Sequence, residues 1–272
     1  IFDIAKEQKQ IKPCFIGENK LISLFLKMDA KIVVMTMPDL DNFHIKRSYV
    51  SSDVEYIYMD HGLSSINMLT RKGAVDHFDT VFCAGQHIID EIKATEEHYG
   101  LPHKNLIAYG YGFMDGLIKI CSTDPTIASG DFILLAPSHQ KDNILDSCLE
   151  PVIEGLKSTG YKVILRPHPQ YIRRYPDKWK RISAQYSSDP QVITESDFSS
   201  NTSIYQAALV VTDWSNIGYE YSFSTLRPVM FVNTPMKVIN PDYKEIGVVP
   251  IDLSLRSEIG IEVTGRSADE VA

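Results

Sequence analysis

Short apolar runs recur along the chain, separated by stretches with helical spacing. Ile32-Val33-Val34-Met35 is rich in β-branched residues and bounded by Pro38, which predicts a strand. Val54–Met59 predicts a second, with Tyr56 and Tyr58 alternating against Ile57 and Met59. The same reading assigns strands to Thr80–Ala84, Leu106–Ala108, Phe132–Ala136, Lys162–Leu165, Gln191–Thr194, Leu209–Val211 and Val229–Val232. Helices are expected over Asn19–Met28 (largely buried), Ile66–Arg71, and Ile88–Tyr99, which Gly100 and Pro102 stop. Further helices are expected over Ile144–Ser158, Lys178–Tyr186, Ser203–Ala208, Ser215–Ser224 and Asp252–Glu258.

Strands that alternate with helices imply βαβ units and mostly parallel sheets. Ser, Thr, Asp, Pro and Gly cluster over Ser122–Gly130 and divide the alternation into two sets. The expected fold class is therefore α/β, with two Rossmann-like domains, 1–125 and 126–272, facing a cleft. Neither half carries G-x-G-x-x-G after its first strand, and no Walker A sequence occurs, which argues against a dinucleotide site and a P-loop.

Composition changes this picture little. The 272 residues are 44% hydrophobic and 23% charged, ordinary values for a soluble globular protein. A net charge of -8 leaves no nucleic-acid footprint and no general attraction to an anionic membrane. Four cysteines (14, 83, 121 and 148) form no C-x-x-C pair, and Cys83 reads as core, so a reducing cytoplasm is the expected compartment. No run has membrane-spanning length and no signal peptide is visible. The chain starts at Ile1 rather than Met, so a fragment of a longer protein is expected.

Candidate chemistry centres on Leu209–Glu220, L-V-V-T-D-W-S-N-I-G-Y-E. It reads as a buried strand, a polar turn and a helix start, whose unpartnered N–H groups suit a phosphate. Ser215 and Asn216 could equally be ordinary helix caps. Two other polar loops follow strands: Asp60-His61-Gly62 and Arg166-Pro167-His168-Pro169. Ligands of open α/β sheets bind beyond the carboxyl ends of strands, which is where His61, His168 and Asp213 are expected to lie. Gly62 would let backbone approach a ligand closely. Arg166 is a permanent cation able to bind phosphate, unless a local carboxylate needs it. Ser138 and His139 sit in a further strand-end loop. His44, His77, His87, His98 and His103 read as surface or interior groups. No H-E-x-x-H or tight His/Asp cluster occurs, so no metal is expected.

The ordered series Asp60-His61-Gly62, Arg166-Pro167-His168-Pro169, Thr212-Asp213-Trp214-Ser215-Asn216 and Leu226-Arg227-Pro228 resembles the CDP-glycerol glycerophosphotransferase family of teichoic-acid primases and polymerases. The resemblance runs from about Glu55 to Phe231. Tyr109–Gly112 with Asp115 is loosely similar to a family G-x-P-R-x-D segment, without its Pro and Arg. Asp60 stands where the family commonly has Trp, Asn216 where a second Ser is common, and Glu220 where Asp is common.

The resemblance implies a GT-B architecture. It implies transfer of glycerol phosphate or ribitol phosphate from a CDP-activated donor to an acceptor hydroxyl, releasing CMP, in teichoic-acid or capsule synthesis. His61 would be the general base and His168, as imidazolium, would assist the leaving group. Gly62, Arg166, Thr212, Asp213, Ser215, Asn216 and Glu220 would bind the donor, with no cofactor required. The acceptor would be a polyol phosphate or lipid-linked glycan, met at the inner membrane face. Lys46-Arg47, Arg71-Lys72 and Arg173-Arg174 are candidates for holding it. Two alternatives stay open: a GT-B glycosyltransferase or nucleotide-sugar epimerase using UDP- or CMP-sugars, and a non-catalytic nucleotide- or polyanion-binding module.

Overall fold

Ten parallel strands form two sheets in a computed structural model that describes residues 7–8, 10–124, 127 and 130–272. The first sheet holds β1 (Ile32–Met35), β2 (Glu55–Met59), β3 (Thr80–Cys83) and β4 (Asn105–Ala108), side by side in chain order. The second holds β5 (Phe132–Leu135), β6 (Lys162–Leu165), β7 (Val192–Thr194), β8 (Leu209–Thr212), β9 (Val229–Val232) and β10 (Gly260–Val263). Its spatial order, β10-β9-β8-β5-β6-β7, is that of the doubly wound nucleotide-binding fold, and the chain reverses direction across the sheet between β5 and β8.

The apolar runs explain the second sheet. All four residues of β9 are buried, as are Val210, Val211 and Thr212 of β8, because helices cover both faces. In the first sheet, Tyr56, Tyr58, Val81 and Cys83 pack under the Gln86–Tyr99 helix through Ile88 and Ile92. Burial pushes the Cys83 thiol up to about 11, in keeping with a core residue. That helix ends at Gly100, whose φ of 63° supplies the left-handed cap. On the opposite face of this sheet Ile32, Val34 and Ile107 are exposed.

Several elements differ from expectation. The Asn19–Met28 helix is a 3-10 turn followed by Leu21–Leu26, and only Phe25 is buried; Ile22 and Leu24 face solvent. The Ile144–Ser158 helix is two, Ile144–Ser147 and Leu149–Ser158, because Cys148 leaves helical geometry at φ -152° and ψ 26°. A Gly112–Thr123 helix occupies a stretch read as a turn and joint; two glycines, Gly112 and Gly116, mask its apolar stripe of Met114 and Leu117. A Pro169–Arg174 helix replaces part of a loop, its proline at the first turn where a missing N–H costs nothing. Asp252–Glu258 is two short helices, and β10 and the Ala268–Val271 helix complete a tail that showed no clear period. Residues 125, 126, 128 and 129 of the expected joint lie outside the described residues.

The first sheet keeps its own core, but residues of the first half also enter the core of the second. Leu63 and Met114 belong to the same buried cluster as Leu134, Val210, Val229 and Phe231. The Gly112–Thr123 helix packs against the Ile217–Thr225 helix of the second sheet. Polar contacts reinforce the junction: the buried Asp252 carboxyl accepts Ser65 N–H at 2.6 Å, and Asn67 Nδ2 donates to Tyr243 O at 2.8 Å.

Gly155 sits where the Leu149–Ser158 and Ala268–Val271 helices meet. An added Cβ there would lie 2.5 Å from Ala268 O and 2.7 Å from Val271 Cβ. Overpacking of this kind costs about 1–3 kcal/mol. Gly155→Ala is therefore expected to lower the denaturation midpoint and to expose the C-terminal helix to proteolysis; a midpoint equal to that of the parent would show that the two helices part without cost.

Candidate active site

The strands β5 and β8 lie side by side, yet the chain leaves them toward opposite edges of the sheet, so a crevice opens beyond their carboxyl ends. Two loops rim it, Pro137–His139 after β5 and Asp213–Asn216 after β8. Asp213 is 1% exposed and joins them. Its Oδ1 accepts Ser138 N–H at 2.7 Å and its Oδ2 accepts Ser138 Oγ at 3.1 Å. Thr234 Oγ1, beyond β9, donates to the same Oδ2 at 3.4 Å. Thr212 Oγ1 donates to Ala136 O at 2.7 Å. Thr212 and Asp213 were expected to touch a donor. Instead they are buried behind the cleft, their polar atoms committed to tying strand ends, as desolvated groups require.

The cleft beyond this tie encloses about 510 Å³. His61 and Ser64 line it from the first domain; Ser138, His139, His168, Ser215, Asn216 and Glu220 line it from the second. Eight of the eleven residues singled out by sequence therefore meet at one cavity once Arg166 is included. Gly62 does not line it. Its close neighbour is Asn216, whose Nδ2 would lie 2.4 Å from an added Cβ. Ser64 Oγ donates to Asn216 Oδ1 across the same junction. The Asn216 side chain is thus occupied with the first domain, and no side chain caps the Ile217–Thr225 helix. Its first turn faces the cleft, where Asn216 and Ile217 are lining residues.

His168 is the N-cap of the Pro169–Arg174 helix; its Nδ1 accepts Gln170 N–H at 3.0 Å. A nitrogen that accepts a hydrogen bond carries no proton, so the ring is neutral and its Nε2 bears the hydrogen. Burial, with Lys237 and Arg174 nearby, holds its pKa below the ordinary value. His139 stacks at 4.4 Å between ring centroids, tilted by 39°. Burial, His168 and the same two cations push His139 down to about 4. The expected imidazolium at His168 is thereby corrected: this ring is a neutral Nε2–H donor.

His61 differs. Strand β2 ends at Met59, so the alternation that would separate Asp60 from His61 no longer applies. Asp60 Oδ1 accepts the His61 backbone N–H at 2.7 Å and lies 3.4 Å from its Nδ1. Burial raises the Asp60 carboxyl pKa. The His61 side chain is 78% exposed to the open cleft, with its backbone held and Nε2 left free for a substrate.

Arg166 lines the cavity but is not a free cation. Its guanidinium is 2.9 Å from Glu195 Oε1 and donates to Ser203 Oγ, Ser200 O and Asn201 Oδ1. The local-carboxylate alternative is the one realised. Glu220 is half-buried and its pKa is raised by burial. Tyr111 Oη lies 3.2 Å from Glu220 Oε1 and 3.0 Å from His61 O. The Tyr111 hydroxyl thus has an acceptor on each side of the cleft, the His61 carbonyl and the Glu220 carboxyl. Of the basic pairs, Arg47 meets Asp79, Arg71 meets Asp39, and Lys72 meets Asp242 and Glu245.

Sequence reasoning missed Tyr111, Lys237 and Arg256. Arg256 is 1% exposed, donates to Asp213 O at 3.0 Å and to Asn233 Oδ1 at 2.8 Å, and stacks on Trp214 and Phe231. No local pattern marks Lys237 or Arg256, and the Tyr109–Gly112 segment gave Tyr111 no role of its own; only the fold brings them to the cleft or behind it.

No protein-family model and no curated protein matches the sequence. Solved structures do. Methanocaldococcus jannaschii UDP-GlcNAc 2-epimerase in complex with UDP-GlcNAc and UDP superposes with a TM-score of 0.61 at 14% identity, over 98% of this chain and 78% of that one. A Listeria monocytogenes protein assigned as a UDP-N-acetylglucosamine 2-epimerase gives 0.57 at 12% identity, over 100% and 75%. The wall teichoic acid polymerase TagF gives 0.43 at 13% identity over 75% of this chain and 54% of its own, too low to weigh. At such identities the likeness establishes fold, and the fold is GT-B: two Rossmann-like domains, mostly parallel, facing a cleft.

Proposed function

We propose that this protein is a GT-B enzyme that binds a nucleoside-diphosphate-activated donor in the switch-point cleft and uses His61 as its general base. The observation that carries this reading is the convergence of His61, the His139–His168 pair and an uncapped helix start on one cavity between two domains. A helix start without a side-chain cap suits phosphate, and a neutral His168 Nε2–H adds a hydrogen-bond donor without needing a low pH. His61 Nε2 is available to take a proton, with Asp60 beside Nδ1 to stabilise the imidazolium that results.

Two donors fit this chemistry. A nucleotide sugar, for transfer or epimerisation, is supported by the likeness of fold over nearly the whole chain to an epimerase seen with UDP-GlcNAc and UDP. A CDP-polyol is supported by the ordered His61-Gly62, Arg166–Pro169 and Thr212–Asn216 motifs, whose acceptor would be a polyol phosphate or a lipid-linked glycan. Among the described residues no helix is long and apolar enough to cross a membrane.

A product-release panel with UDP-GlcNAc, CDP-glycerol and CDP-ribitol separates these donors. UDP or an epimerised sugar supports the first reading, and CMP the second. Binding without turnover in the presence of acceptors would instead mark a non-catalytic module. With the active donor, His61→Ala should lose turnover by roughly 10²- to 10⁴-fold while retaining donor affinity; near-normal turnover removes His61 from the mechanism.

The His139 ring also predicts a pH dependence of stability. Its pKa falls from 6.5 to about 4 on folding. Between those values the unfolded chain binds a proton that the folded loop refuses, so stability rises with pH there. Lowering the pH from neutrality toward 4 should therefore cost stability progressively, and His139→Gln should flatten that slope. Denaturant midpoints measured at a series of pH values check this; parallel slopes in the two proteins would contradict it.

A further inference from the structure

Two cationic side chains line the cleft, Arg166 and Lys237. Arg166 is spent on Glu195 and the Ser200–Ser203 turn. Lys237 forms no ion pair or hydrogen bond among the described residues and lines the cavity beside His139, His168, Trp214 and Ser215. Its charge is felt by both rings. We infer that Lys237 is the phosphate-binding cation of this site, placed to hold the diphosphate of a nucleotide donor against the start of the Ile217–Thr225 helix. The inference rests on the proposed donor class and adds the residue that would neutralise it.

The segment that carries Lys237 is built for placement. Behind it, Trp214 Nε1 donates to Thr234 O at 3.1 Å and Gln140 Nε2 donates to Pro235 O at 2.9 Å. Ahead of it, Ile239 N and Asn240 N donate to Met68 O at 3.0 and 3.2 Å. The strap is tied to the second domain on one side of the lysine and to the first domain on the other. Burial lowers the Lys237 pKa, and the carboxylates that face it, Asp213 and Asp252, offset this only in part. Both of those carboxylates are bonded elsewhere, to Ser138 and to Ser65. A desolvated ammonium without a contact partner gains most from an incoming anion, and charge-assisted bonds to phosphate are the strong ones.

The test is calorimetric titration of pyrophosphate, CDP, UDP and CMP into the parent protein, Lys237→Met and Lys237→Arg, with thermal melts to verify folding. Lys237→Met should weaken pyrophosphate and the nucleoside diphosphates by roughly 10- to 100-fold. CMP should weaken less, and Lys237→Arg should recover part of the loss. Unchanged pyrophosphate and diphosphate affinity in folded Lys237→Met overturns the inference while leaving the proposed function standing. Lysine-dependent binding of pyrophosphate with no nucleotide bound keeps the anion site and removes the nucleotide reading. A parent protein that binds none of the four removes both.

Discussion

A carboxyl group without solvent holds the site together. Asp213 lies at the end of β8 with Ser138 on both its oxygens and Thr234 on one. It therefore fixes the ends of β5, β8 and β9 relative to one another. A buried carboxylate is costly unless donors surround it, and removing those donors leaves the cost unpaid. Arg256 closes the arrangement from behind by holding the Asp213 carbonyl and stacking on Trp214. The cleft residues Ser138, Ser215 and Lys237 ride on loops whose roots are set by this tie. Thr212 and Asp213 thus serve a ligand through position rather than through contact.

The wall opposite comes from the other domain, and its placement depends on packing as much as on hydrogen bonds. Leu63 enters the core of the second sheet only two residues after His61. Ser64 reaches Asn216, and Gly62 leaves room for that amide. The tripeptide after His61 is therefore an intersubdomain wedge, and the imidazole it carries is presented to the cleft by the burial of its neighbours.

Nine of the ten strands were legible, because β-branched runs bounded by glycine, proline or polar turns carry their own signal. The tenth, β10, has exposed Glu262 and Ile261 and no buried alternation to reveal it. The Gly112–Thr123 helix was hidden by Gly112 and Gly116, which propensity counts against and tertiary packing overrides. At the cleft, motif residues were legible as members of one site, but their bonding was not. Arg166 looks the same in sequence whether it meets a phosphate or Glu195. Likewise, His168 reveals its protonation only through Gln170 N–H. Lys237 had no motif at all, since its significance comes from a strap fastened at both ends.

The Gly112–Thr123 helix follows β4 of the first sheet yet lies against the Ile217–Thr225 helix of the second. Just before it, Gly110 adopts a φ of 81°, a conformation that side chains resist. The covalent crossing from one lobe to the other is thus made at a glycine in the left-handed region, ahead of this helix. A side chain at this position would strain the crossing itself, so the seating of Met114 in the far core hangs on one backbone torsion.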